Sequence, residues 1–76
     1  MIQKTISGEQ PVQILAHSVA FGPSAEGYTL HYSADGVNFT PYTEATPANE
    51  TLMVNGLPKG VFLKLVGNAS DVVVNF

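Results

Sequence analysis

Glycine, proline, asparagine and aspartate interrupt this chain at intervals too short for a helix of ordinary length, and that spacing constrains the fold more than any other feature. Between the interruptions the residues alternate in polarity or are β-branched. Val12, Ile14 and Ala16 fall on one side of a strand, while Tyr28, Leu30 and Tyr32 alternate with Thr29, His31 and Ser33. Successive side chains of a strand point to opposite faces, so a period of two buries one face and leaves the other to water. The expected class is all-β.

Ile2 and Ile6 share a face of a first strand, Gly8 to Pro11 turns the chain, and His17 to Phe21 is a short third strand. A loop follows from Gly22 to Gly27. Ala34-Asp35-Gly36 is the clearest turn, because Asp-Gly readily supplies the positive-φ conformations of a tight hairpin. Val37 to Tyr42 is expected to return as the partner strand. Thr43 to Glu50, with Pro47, reads as a surface loop, and Thr51 to Val54 as a strand closed by Asn55-Gly56.

Val61-Phe62-Leu63-Lys64-Leu65-Val66 is apolar on both faces except at Lys64, the pattern of a strand that is central in its sheet or covered on its second side. The segment from Val72 to Phe76 is expected to pair in a sheet, since terminal residues fray unless docked. Together these make about seven or eight short strands in a compact β-sandwich, jelly-roll-like or immunoglobulin-like, forming one domain over residues 1–76.

A chain of 76 residues builds one modest core. It has no cysteine for a disulfide and no Cys/His cluster for structural zinc, so oligomerisation is the remaining common source of extra stability. Only 12% of residues are charged, about half the roughly 25% usual in soluble domains, and mean hydropathy is +0.15. With so few ions on the surface, part of it is expected to be covered by identical copies or by a larger assembly. Net charge is −3, and the cations are Lys4, Lys59 and Lys64 with no arginine, which argues against nucleic-acid binding. The N-terminus alternates instead of forming a signal peptide, and no apolar run approaches the length of a membrane span.

Catalysis requires a positioned acid, base, nucleophile or metal. His17 and His31 lie in different strands without zinc-ligand spacing, and none of the five serines sits in a nucleophile elbow. Glu44 and Glu50 flank Pro47 without calcium-loop spacing and read as solvated loop carboxylates. Asn38-Phe39-Thr40, Asn49-Glu50-Thr51 and Asn68-Ala69-Ser70 match the glycosylation acceptor pattern, but Asn with Ser or Thr is also ordinary turn chemistry. No enzyme activity, catalytic residue, metal or cofactor is expected.

Tyr32 followed by Ser33-Ala34-Asp35-Gly36-Val37-Asn38-Phe39-Thr40 resembles the hairpin of discoidin-like and other sugar-binding sandwiches of bacteria and their phages, and more loosely the Asp box of sialidases. It departs from the Asp box in lacking a residue between Asp35 and Gly36 and in carrying Phe39 where tryptophan is usual. The resemblance implies a stable β-turn more than a sugar site. Were a glycan bound, Tyr42 is the best exposed ring for stacking and His31 the polar neighbour on the solvent side, whereas Tyr28 and Tyr32 share Leu30's apolar face and are expected in the core.

In size, acidity, lack of cysteine and the Asp-Gly hairpin, the whole chain resembles the small β-domains that tailed bacteriophages use as head-decoration, auxiliary capsid or head-fibre proteins. That resemblance implies a non-enzymatic protein of the virion, cytoplasmic before assembly. Its partners would be the major capsid protein and itself, with a trimer as the expected homo-oligomer. Phe62, Val66, Val73 and Phe76 are the expected interface. The alternative function is a carbohydrate-binding or adhesion module, and a third is an inhibitor of another protein.

Overall fold

A computed structural model describes residues 2–42, 47–67 and 71–76. Its strands are β1 (Gln3–Ser7), β2 (Val12–Ile14), β3 (Ser18–Phe21), β4 (Thr29–Ser33), β5 (Thr40–Pro41), β6 (Leu52–Asn55), β7 (Val61–Val66) and β8 (Asp71–Asn75). They form two four-stranded sheets, ordered β1-β8-β3-β6 and β2-β7-β4-β5. Every pairing is antiparallel.

The order has a simple origin. β1 pairs with β8, β2 with β7, β3 with β6 and β4 with β5, so the chain is one long hairpin rolled up until β3 also meets β8 and β4 also meets β7. This is the jelly-roll path, and it selects one of the two topologies compatible with the strand count. Val61–Val66 is indeed central, between β2 and β4, and the C-terminal strand lies between β1 and β3.

Strand alternation translates directly into burial. Ile6, Val19, Phe21, Val54, Val72 and Val74 point inward from the first sheet. Val12, Ile14, Leu30, Val61, Leu63 and Leu65 meet them from the second, with Tyr28 and Leu57 completing the cluster. Phe21 and Tyr28 meet edge-on with ring centroids 6.5 Å apart. Burial holds the Tyr28 phenol above its ordinary range, so it stays protonated and donates to the Gly22 carbonyl at 3.3 Å.

Two expectations are corrected. Val37 to Tyr42 does not return as a full strand; only Thr40–Pro41 pairs with β4. The Asp35 carboxylate takes the Val37 and Asn38 N–H groups at 2.8 and 2.9 Å, which diverts them from the ladder and opens the expected tight turn into a longer loop. Tyr32 is not in the core either. It follows Leu30 on the inward face but is 39% exposed, because it stands opposite the two-residue β5 and opens onto a groove beside the turn at Pro58 and Lys59. Thr43 to Thr46, including Glu44, and the acceptor pattern Asn68-Ala69-Ser70 lie outside the described residues.

Candidate functional site

The hairpin after β4 is held by its own polar groups. Ser33, almost fully buried, donates through Oγ to Asp35 Oδ1 at 2.7 Å and accepts the Asp35 and Gly36 N–H groups at 3.2 and 2.9 Å. Asp35 Oδ2 accepts from Asn38 Nδ2 at 3.0 Å. Both carboxylate oxygens are thus engaged within the loop, which makes the Asp-Gly hairpin a structural device rather than a ligand site. Backbone donation from Asn38 and then Val37, with Ser33 and the Asn38 side chain adding to it, holds the Asp35 carboxyl well below the usual carboxylate range.

A pH dependence follows from that depression. Asp35 favours the folded state above the unfolded carboxyl pKa of about 3.9, and this contribution is lost as pH falls from there through the lower folded value. Denaturant midpoints measured against pH are expected to fall on the acid side, with Asp35→Asn flattening that limb. An acid limb identical in the two proteins refutes the assignment.

The histidines are not brought together. His17 Nδ1 donates to the Leu57 carbonyl at 2.8 Å while Leu57 N–H donates to the His17 carbonyl at 2.9 Å, which ties the turn after β6 to the start of β3. His31 lies in the other sheet, opposite Lys64 and Pro41. Among the described residues no group of three or more His, Asp or Glu could hold a metal ion.

Tyr42 and His31 do not share a face. Tyr42 N–H donates to the Leu30 carbonyl at 2.9 Å, which puts Tyr42 level with Leu30, one position from His31 along the ladder. Its ring meets Tyr32 instead, edge-on at 5.6 Å. Both tyrosines are half-exposed, and Tyr32 lines a groove of about 220 Å³ together with Ala34, Pro58, Lys59 and Gly60. Sequence reasoning assigned Tyr32 to the core and so missed this pair; the signal was the short stretch of chain available to pair beyond it.

The four expected interface residues are also divided. Phe62 and Val66 lie on the outer face of the β2-β7-β4-β5 sheet, Val73 on the outer face of the other sheet, and Phe76 at one end of the sandwich, packed on the core. On the first of these faces the chain's own hairpin lies against Phe62 and Lys64: a Cβ added at Gly36 would touch the Phe62 ring at 3.4 Å, and Lys64 Nζ sits 4.5 Å from the Phe39 ring centre. Phe62 therefore needs no partner to escape water.

The outer face of the β1-β8-β3-β6 sheet has no such cover among the described residues. Gln3, Asn75, Ala20 and Met53 follow one another across its four strands, and beside them Thr5 lies opposite Val73. Met53 is 69% and Val73 37% exposed. A groove of about 250 Å³ opens here, lined by Ala16, Ser18, Ala20, Met53, Asn75 and Phe76. The one charge in these strands' outward positions is Asp71, at a corner and bonded to Ser7 Oγ at 2.7 Å. No protein family, curated protein or solved structure matches the chain.

Proposed function

We propose that this chain is a non-enzymatic structural protein that decorates or stabilises a larger assembly, of the phage-capsid kind its sequence resembles, by burying surface against neighbouring subunits. The observation that carries the reading is the outer face of the β1-β8-β3-β6 sheet, whose outward strand positions hold Asp71 as their one charge and which no described residue covers, whereas Phe62 on the opposite face packs against the chain's own hairpin. Interface cores are depleted in charge and enriched in Met, and this face has both properties. Jelly rolls serve in viral capsids and also in lectins, so the fold is compatible with the role by analogy and does not select it. Contact energies that are small for one copy accumulate when a symmetric lattice repeats them.

The Tyr32–Tyr42 pair favours saccharide binding as the second reading, since exposed rings offer faces for stacking. Mass spectrometry of gradient-purified virus particles from the host that encodes the chain is expected to find it at a fixed ratio to the major shell protein. If the particles lack it and a glycan array is bound by the wild type but not by Tyr42→Ala, the structural role is overturned and the saccharide reading takes its place.

A further inference from the structure

We propose that Asn55 is a site of spontaneous deamidation in the folded protein, closing through the Gly56 nitrogen to a succinimide that water opens to aspartate or isoaspartate. The reaction requires a side-chain amide, a following backbone nitrogen able to attack it, and room for the peptide between them to rotate. The turn after β6 supplies all three.

Asn55 is exposed and ends β6, which lies at the edge of its sheet. Gly56 follows with φ of +74°, and beyond its chain neighbours no atom lies within 4 Å of the place a Cβ would occupy, so nothing blocks the approach. Among the described residues no hydrogen bond engages the Gly56 N–H; the His17 carbonyl, which ties down this turn, takes the Leu57 N–H at 2.9 Å. The Gly56 nitrogen can therefore lose its proton to a solvent base.

By sequence the related closure is also open to Asp35-Gly36, and there the fold withholds it. Gly36 N–H donates to Ser33 Oγ at 2.9 Å, and the Asp35 carboxylate is held by Ser33, Val37 and Asn38, which keeps it ionised and a poor electrophile. Two asparagines without a following glycine are guarded as well. Asn38 Nδ2 donates to Asp35 Oδ2 at 3.0 Å, and the nitrogen after Asn75, that of Phe76, donates to the Ile2 carbonyl at 2.9 Å.

In the first step the deprotonated Gly56 nitrogen adds to Asn55 Cγ, the Cγ–Nδ2 bond breaks, and Nδ2 takes up a proton and leaves as ammonia. Water then adds to one of the two ring carbonyls. Opening at Cγ restores the original main chain with an aspartate, whereas opening at the main-chain carbonyl routes the chain through Cβ and Cγ as isoaspartate. No oxidant or reductant takes part, and either product carries one more negative charge.

The products differ in what they do to the fold. Asn55 is in register with Ser18, and two residues later Leu57 is buried, with its carbonyl bound by His17 Nδ1 at 2.8 Å. Isoaspartate lengthens the main chain between these two fixed points, while aspartate adds only charge.

The full chain, held folded at mildly alkaline pH in water enriched in heavy oxygen, provides the test. Peptide mass spectrometry with fragmentation that separates isoaspartate is expected to find Asn55 losing its amide nitrogen and gaining one labelled oxygen, at least about tenfold faster than Asn38 or Asn75. In urea, isomerisation at Asp35 is expected to rise at least about tenfold over its folded rate, while conversion at Asn55 changes much less. Asn55→Gln, whose longer amide would have to close a six-membered ring, is expected to stop the reaction at this turn. Fresh Asn55→Asp is expected to keep the wild-type urea midpoint, and the isoaspartate form, separated by ion exchange, to show a lower one. An Asn55 that converts only in urea, or no faster than Asn38 in the folded chain, overturns the proposal. An isoaspartate form as stable as the wild type overturns the consequence for the Leu57 tie alone.

Discussion

Phe21→Ala is expected to lower the unfolding free energy by about 3–5 kcal/mol, the largest effect of any single truncation proposed for this chain. Phe21 is fully buried in β3, which is hydrogen-bonded on both sides, to β8 and to β6. Its ring meets Tyr28 edge-on and stands level with Val74 and Leu52 on the neighbouring strands. Removing the ring forfeits its transfer free energy and leaves a cavity that strands held on both sides cannot close. A domain of this length has a total stability of roughly 4–11 kcal/mol, so a loss of this size removes about a quarter of it or more. Urea denaturation followed by near-ultraviolet dichroism measures it. A loss below about 1 kcal/mol would mean that Phe21 does not occupy the core position described.

Gly36→Val is expected to cost about 1–3 kcal/mol, from two sources that a second variant separates. Gly36 has φ of +80°, a conformation that a β-branched residue adopts only under strain. A Cβ there would already be in van der Waals contact with three carbons of the Phe62 ring at 3.4 Å, so the two methyl groups of valine beyond it would have to find room against the ring. Gly36→Asn tolerates the backbone conformation and keeps only the contact, and its loss is expected to be the smaller. The same urea transitions provide the comparison. Equal midpoints for wild type and Gly36→Val would show that the loop does not have this geometry.

Much of the fold is legible in the residues because strand alternation is local information. Val12 and Ile14, Val61, Leu63 and Leu65, and Val72 and Val74 are spaced at two and all point inward. The errors have local causes of a different kind. Val37 and Asn38 look like strand residues, but a carboxylate three residues or fewer away captures their N–H groups, and nothing in hydrophobic patterning records that competition. Tyr32 has the right parity for the core and the wrong neighbours, since the strand beside it is two residues long.

The candidate site was less legible for a physical reason. Phe62, Val66 and Val73 are outward residues on adjacent stretches of sequence, and sequence alone treats them as one apolar surplus. Strands β7 and β8 belong to different sheets, so the sandwich sends Phe62 and Val66 to one side and Val73 to the other. Met53 and Ala20, distant in sequence from Val73, join its face because β3 pairs with both β6 and β8.

The sequence by itself determined the all-β class, the approximate strand boundaries, most of the inward residues and the turn at Asp35-Gly36, because period, propensity and turn chemistry act over a few residues. Only the tertiary structure decided that the path is a jelly roll, that the hairpin packs on Phe62, and that Val73 and Met53 share the opposite face, which no described residue covers. Those outcomes depend on which strands meet across nearly the whole length of the chain, as when the Ile2 N–H donates to the Phe76 carbonyl, and on how loops fold over finished sheets. Pairing of that kind is settled by the sum of burial over the whole sandwich, a quantity that no short window of residues contains.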